Sequence, residues 1–225
     1  ERMSKAREMA ALALQYVRTL EKQKFYQIVI SAKASDVPTT IEAYRLISER
    51  TDYPLHIGIT EAGTEFSGTI KSTLGIGMLL SEGIGDTIRV SLTASPEEEV
   101  RVGYEILKAL RLRSFGPEVI SCPTCSRCQI DLIRITNRVE KKLESLLRER
   151  RIIARVEPSR FYPLKVAIMG CAVNGPGEAR EADVGIAGGK GVGLLFRRGK
   201  VIKKVKEREM ISVLMEEIEK ELGRR

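Results

Sequence analysis

Between residues 25 and 111 one pattern occurs three times: a short apolar run, a polar cluster, and an amphipathic stretch of helical period. The runs are Gln27-Ile28-Val29-Ile30-Ser31, Leu55-His56-Ile57-Gly58-Ile59 and Thr87-Ile88-Arg89-Val90-Ser91. Strands that alternate with helices through short loops pair in parallel, joined by right-handed crossovers. The first two runs read as strands covered on both faces. Helix starts are marked by Asp36 with Pro38, and by Ser95-Pro96-Glu97-Glu98, a capping box with proline at the first helical position. Residues 3–20, with Met9, Leu12, Leu14, Val17 and Leu20 among Lys and Arg, read as the helix of a preceding unit whose strand is missing. Three units do not close a barrel of this kind, which takes eight strands, so the chain reads as beginning in mid-domain.

Lys33 follows the first strand, Glu61 follows the second and Arg89 lies within the third, at intervals of 28 residues, the length of one strand-helix unit. Equivalent positions on parallel strands fall at the same end of the sheet, where such sheets bind their ligands. Lys33, Glu61, Arg89 and Ser91 are therefore expected on one rim: two cations and a hydroxyl with a carboxylate between them. An anionic substrate suits that rim. Lys33 or Glu61 taken alone reads equally well as a solvated loop charge. Arg89 does not, because a long cation inside Ile88-Arg89-Val90 must reach the mouth of the sheet or find a partner. His56 reads as a hydrogen-bonded core imidazole rather than a ligand or base.

Apolar residues make up 43% of the 225, enough for a real core in two modest domains and too many for a mainly disordered chain. Lys and Arg total 38 against 30 Asp and Glu; the net +8 asks for an acidic partner without choosing among nucleic acid, membrane, phosphorylated metabolite and acidic protein. No apolar run approaches the roughly 18 residues of a membrane span, and Glu1-Arg2-Met3-Ser4 lacks the apolar core of a signal peptide. The expected location is the cytoplasm, with no membrane partner.

After Phe115-Gly116-Pro117 the repeat stops. Four Cys are too sparse for a disulfide framework, and Cys122, Cys125 and Cys128 crowd into seven residues. A Cys-x-x-Cys pair presents two thiolates to one metal, and Cys171, after the strand Leu164-Lys165-Val166-Ala167-Ile168-Met169, could close the site from the other side. Structural zinc or an electron-transfer cluster would take all four Cys. A catalytic iron-sulfur cluster needs one iron not locked by thiolate, and Glu178 is a hard oxygen ligand that such iron holds less firmly than sulfur. Zinc, iron-sulfur cluster and unligated thiols all stay open on spacing alone. A helix from about 129 to 150, with Ile130, Ile133, Val139, Leu143 and Leu146 on one side, precedes that strand. Short strands near 183–187, 192–196 and 200–205 and a packing helix from about 207 to 222 complete a small α/β domain. The run Gly188-Gly189-Lys190-Gly191-Val192-Gly193 is not a phosphate loop. No Ser or Thr comes after the Lys, and Leu194-Leu195-Phe196 with Arg198-Gly199 reads as a strand and a hairpin turn rather than a helix start.

Five motifs in order then resemble one family. They are Ala32-Lys33-Ala34-Ser35-Asp36, Gly58-Ile59-Thr60-Glu61-Ala62-Gly63, the stretch Leu79 to Leu92, Cys122-Pro123-Thr124-Cys125-Ser126-Arg127, and Asn174-Gly175-Pro176-Gly177-Glu178. Together they resemble 4-hydroxy-3-methylbut-2-enyl diphosphate synthases, iron-sulfur oxidoreductases of non-mevalonate isoprenoid (terpenoid) biosynthesis. The resemblance implies an α/β fold in which residues 1–115 form the last three strand-helix units of a (β/α)8 TIM barrel. Residues 116–225 would then be a small reductase-like α/β domain holding a 4Fe-4S cluster. It implies reductive ring opening and dehydration of 2-C-methyl-D-erythritol 2,4-cyclodiphosphate, with electrons from ferredoxin or flavodoxin and substrate at the open iron. Carried over by position, Cys122, Cys125, Cys171 and Glu178 would hold the cluster. Lys33, Arg89 and Ser91 would bind the diphosphate, Glu61 would help move a proton, and Asn174 would contact substrate. It also implies a homodimer in which the cluster domain of one subunit caps its partner's barrel.

Three features depart from the family pattern: Cys128 stands where a non-cysteine is usual, the connection from Cys125 to Cys171 carries an added basic stretch around Arg148 to Tyr162, and the first five barrel units are absent. The alternative is a basic zinc module for nucleic acid. Against it, the sequence has no basic helix interleaved with aromatics and only six Tyr, five Phe and no Trp for stacking.

Overall fold

The computed structural model describes residues 2–113, 116–149, 164–172, 177 and 179–223. The chain divides into two units, Glu1–Arg113 and Ser114–Arg225.

In the first unit the order is α1 (Arg2–Lys22), α2 (Val37–Ser48), β1 (His56–Gly58), α3 (Glu65–Ser81), β2 (Thr87–Arg89) and α4 (Pro96–Ala109). Asp36 caps α2, its carboxylate accepting from the Thr39 N–H at 2.9 Å and the Thr39 hydroxyl at 2.6 Å. Ser95 precedes α4 with proline in the first turn as expected, but its hydroxyl makes no cap bond, so the capping box does not form. The Glu98 N–H is instead satisfied by the Ser95 backbone carbonyl at 3.0 Å. On α1 the buried positions are Ala6, Ala10, Leu14 and Val17, while Leu12 and Leu20 are 50% and 38% exposed. Small alanines let α1 lie close along α2, which is why Leu12 and Leu20 are not the contact.

β1 and β2 pair in parallel with His56 opposite Thr87, Ile57 opposite Ile88 and Gly58 opposite Arg89. The run at 27–31 is not a full strand; it contributes a single parallel bridge, Ile30 to Leu55. The cause is a side chain. Around that bridge the Ile30 N–H donates to the Pro54 carbonyl at 2.9 Å and the His56 N–H donates to the Ile30 carbonyl at 2.8 Å. The next bond of a parallel ladder would run from the Ala32 N–H to the His56 carbonyl. The buried hydroxyl of Tyr44, from α2, occupies that position: it accepts from the Ala32 N–H at 2.9 Å and donates to the His56 carbonyl at 2.7 Å. Pairing resumes beyond it, where the Thr60 N–H donates to the Ala34 carbonyl at 3.1 Å.

Ile30, Ala32, Leu55, Ile57 and Val90 face Ile41, Tyr44, Ile47, Ile76, Leu79 and Ile106 of the helices and form this unit's core. The alternate positions Ser31, Lys33, His56, Thr87, Arg89 and Ser91 are half-buried or exposed. The first two runs are thus covered on their helix side only, and the polar face is left open.

The second unit holds a five-stranded sheet in the order β3 (Glu118–Ser121), β4 (Lys165–Met169), β5 (Val184–Gly189), β6 (Val192–Arg197), β7 (Lys200–Lys206). The first three strands are parallel; β6 and β7 are added antiparallel. Helices α5 (Leu132–Glu149) and α6 (Met210–Gly223) cover one face with Leu132, Ile135, Val139, Leu143, Met210, Leu214 and Ile218. Ile133, expected on the packed side, is 63% exposed; the stripe runs through Leu132 and Ile135, at the three- and four-residue steps that keep one helix face. On the other face Phe196 lies over Gly185, where an added Cβ would meet the ring at 2.3 Å. The glycine-rich run forms the ends of β5 and β6 and the turn between them, with no helix start after it. Arg198 and Gly199, both at positive φ, make the tight turn from β6 to β7. Arg197 reaches from β6 to two buried carboxylates of α6, Glu217 and, at 3.2 Å, Glu221. The basic connection at 150–163 lies outside the described residues, and no helix among the described residues is long and apolar enough to cross a membrane.

Candidate functional site

Register decides what meets on the rim of the first unit. Carrying the Ile30–Leu55 bridge forward puts Lys33 level with Gly58, and Gly58 pairs with Arg89. The residues at one level are therefore Lys33, Gly58 and Arg89, with Glu61 three positions further along. Gly58 was not singled out from sequence, although a glycine inside a strand pattern is the usual mark of a close backbone approach. Here it is one: a Cβ would stand 2.3 Å from the Arg89 carbonyl oxygen and 3.2 Å from Cε of Lys33.

The Lys33 ammonium donates to the His56 carbonyl at 2.8 Å and to the Ser31 hydroxyl. Both partners are neutral. Partial burial, and then the nearby charge of Arg89, lower its pKa to about 8. Among the described residues no carboxylate forms an ion pair with Lys33 or Arg89. The His56 ring Nδ1 is 2.8 Å from the Thr87 hydroxyl, and burial followed by the charges of Lys33 and Arg89 lowers its pKa too. The imidazole is hydrogen-bonded as expected, but it sits half-buried on the open face rather than in the core, because His56 alternates with the core residues Leu55 and Ile57.

Glu61 is exposed and holds a backbone φ of +51°, a left-handed conformation that few residues other than glycine adopt and that tends to mark functional loops. Among the described residues no hydrogen bond or ion pair joins it to Lys33 or Arg89. Ser91 is half-buried, two residues beyond Arg89 on the same side of the strand. A cleft of about 340 Å³ opens beside β2, lined by Ile88, Arg89, Val90, Tyr104, Leu107 and Arg113.

In the second unit the cysteines gather at the carboxyl ends of β3 and β4. Ser121 pairs with Ile168, which puts Cys122 level with Met169 and Cys171 two residues further on. The Gly170 N–H donates to the Cys122 sulfur at 3.1 Å. Cys125 is exposed on the following turn, where the backbone N–H of Arg127 holds its thiol below the ordinary value; Cys171 is buried. The chain then crosses the strand ends. The Gln129 N–H donates to the Gly170 carbonyl at 2.9 Å, Ile130 packs where a Cβ on Gly188 would be, and Cys128 packs where a Cβ on Gly170 would be. The Cys128 thiol donates to the Ile130 carbonyl at 3.3 Å, so it is turned into the protein.

All four thiols are free, and Cys122, Cys125 and Cys171 supply the soft sulfur donors that iron or zinc takes, with a backbone N–H already directed at one of them. They are not drawn into a closed set, since among the described residues no three Cys, His, Asp or Glu stand close enough to hold an ion. Asn174 and Glu178 lie outside the described residues.

A parallel strand-helix segment with a cationic rim, followed by a mixed α/β domain with thiols at its strand ends, defines a class: two-part proteins in which a barrel segment precedes a cysteine-bearing domain. Residues 1–104 match the family model described as the GcpE TIM-barrel domain, and residues 118–220 match the GcpE protein C-terminal domain. The chain belongs to the GcpE family. It is 58% identical over 218 residues to a Geobacter sulfurreducens protein named 4-hydroxy-3-methylbut-2-en-1-yl diphosphate synthase (flavodoxin), an alignment covering 97% of this chain and 58% of that one. A Clostridium acetobutylicum protein of the same name is 58% identical over 207 residues, covering 92% of this chain and 55% of its own length. A Geobacillus kaustophilus protein, also of that name, is 55% identical over 212 residues, covering 94% and 53%. The chain thus spans a little over half the length of these relatives.

Proposed function

We propose that this chain contributes the carboxy-terminal portion of a 4-hydroxy-3-methylbut-2-enyl diphosphate synthase that takes its electrons from flavodoxin. In this reading residues 1–115 complete a TIM barrel and residues 116–225 carry a 4Fe-4S cluster held by Cys122, Cys125, Cys171 and Glu178. The substrate is 2-C-methyl-D-erythritol 2,4-cyclodiphosphate. The observation that supports it best is the state of Lys33. An ammonium held by two neutral acceptors, beside an arginine and without a carboxylate, is a cationic site short of its counter-anion.

A diphosphate supplies that charge. Each close pair between a phosphoryl oxygen and a cation at such a half-exposed site contributes about 4 kcal/mol of Coulomb attraction before desolvation is subtracted. Lys33 and Arg89 grip the anion from neighbouring strands, and Ser91 adds a hydroxyl donor. Glu61, held by its turn beyond the strand end, is placed to carry a proton at the substrate's hydroxyl-bearing carbons. Asn174 contacts substrate from the thiol-bearing domain. The cluster, when bound, supplies the two electrons of the reduction. Flavodoxin is the donor, as the relatives' names support; ferredoxin is the other small donor of matching chemistry. A homodimer in the cytoplasm, with each cluster domain capping its partner's barrel and no nucleic-acid partner, completes the proposal.

The test is anaerobic reconstitution of the full-length protein with iron and sulfide, then turnover of the cyclodiphosphate with reduced flavodoxin. A brown protein with about four irons per chain and turnover that collapses in Lys33→Ala is expected. A colourless protein retaining one zinc, with affinity for nucleic acid, would replace this reading by the basic zinc module.

A further inference from the structure

Tyr44 is 0% exposed and belongs to α2, yet its hydroxyl bonds to the backbone of both strand segments, with the Ser31 side chain beside it. A buried phenol needs a partner for its hydroxyl, and one backbone group would suffice. This one takes both halves of a ladder bond, the Ala32 N–H and the His56 carbonyl, and stands between them. The inserted oxygen holds the two segments apart at a single rung, since pairing is regular at Ile30 and again at Ala34. The same His56 carbonyl is the acceptor for the Lys33 ammonium at 2.8 Å. Gly58, with no Cβ, lets the Lys33 stem lie across the neighbouring strand toward it. The groups facing the ammonium are Ser31 on its own segment, the His56 carbonyl and ring on β1, Arg89 on β2, and the Tyr44 hydroxyl from α2 behind that carbonyl.

We infer that Tyr44 is a positioning residue for the anion site: by occupying the Ala32–His56 rung it opens the slot in which the His56 carbonyl anchors Lys33. Without the hydroxyl, the Ala32 N–H closes directly onto the His56 carbonyl, the first segment moves in toward β1, and Lys33 loses the slot. The inference rests on the diphosphate reading only for what the site binds, not for how Lys33 is held.

The experiment is Tyr44→Phe in the full-length protein, with two readouts. The first is the pH dependence of Lys33 acylation, followed by mass spectrometry. In the wild type the amine should become half-reactive near its pKa of about 8. In Tyr44→Phe the midpoint should move about one pH unit or more toward the ordinary lysine value. The second is calorimetric titration with inorganic pyrophosphate. Affinity should fall about tenfold in Tyr44→Phe, and Lys33→Met should then add little in the double variant, as expected of two residues acting through one contact. A folded Tyr44→Phe with an unmoved Lys33 midpoint overturns the inference, as do strictly additive losses. A wild type that ignores pyrophosphate while the midpoint still moves sinks the diphosphate reading and supports the positioning role. If Tyr44→Phe does not fold, hydrogen exchange in the wild type decides. Protection of the Ala32 amide comparable to that of His56 supports the inserted rung, and free exchange overturns it.

Discussion

Replacing Gly58 by alanine puts a methyl carbon where the rim has no room for one. The added Cβ would lie 2.3 Å from the carbonyl oxygen of Arg89 and 3.2 Å from Cε of Lys33. A comfortable contact to a carbonyl oxygen is about 3.3 Å, so the backbone of β2 must retreat by roughly 1 Å, since a carbonyl cannot rotate away as a side-chain tip can. β1 and β2 share only three paired positions, and a retreat at Gly58–Arg89 takes the last of them. Overpacking of this kind costs about 1–3 kcal/mol. Because the displaced groups are Lys33 and Arg89, the loss should appear twice. Urea unfolding of the full-length protein should show the destabilisation, and pyrophosphate binding should weaken more than about tenfold. Gly58→Ala that unfolds within about 0.5 kcal/mol of wild type and binds pyrophosphate normally would refute the steric argument and the register behind it.

The same geometry sets other outcomes. Lys33 is lowered to about 8, so an arriving anion that favours its charged form must draw in a proton above that pH. Pyrophosphate affinity of the wild type should therefore fall more steeply than that of Lys33→Met between pH 8 and about 10. Parallel curves in calorimetry would contradict this. By the same linkage the depressed pKa disfavours the folded state below about pH 8, and the penalty lifts as pH rises toward the unfolded value. Arg197→Met removes the cation that Glu217 and Glu221 share in the packed face of α6, leaving Lys220 on the far oxygen of Glu217, and should cost about 2 kcal/mol in chemical unfolding. Cys128→Ala should keep full metal content because its thiol faces the Ile130 carbonyl, losing only about 1 kcal/mol of packing, whereas Cys122→Ala should lose metal; equal losses on metal analysis would make Cys128 a ligand.

The equal spacing of Lys33, Glu61 and Arg89 illustrates what the sequence could and could not reveal. It located three strand ends correctly enough to bring two cations to one level. Yet the true rung is Lys33, Gly58, Arg89, whose separations are 25 and 31 residues rather than 28 twice. Residue counting averages a short unit and a long one; only hydrogen bonding fixes rungs. The β6–β7 turn at Arg198-Gly199 and the packing helix α6 were legible because their signals are local: glycine at a turn and apolar residues at helical spacing. Tyr44 was not, because an aromatic at a buried helix position reads as core, and its hydroxyl finds its partners across the fold. Ile133 was misassigned for a related reason. Periodicity offers several stripes, and close approach to the neighbouring element chooses among them.

The segment from Cys128 to Ile130 is strapped across the ends of β4 and β5 by one backbone bond and two side chains that fill the space left by Gly170 and Gly188. These contacts are made by protein atoms alone. In a zinc finger the ion organises the chain, and removing it unfolds the module. Here the anchorage runs the other way: the thiol-bearing turn is moored to a finished sheet. Losing an ion from the thiols is therefore expected to leave the sheet and its packing standing.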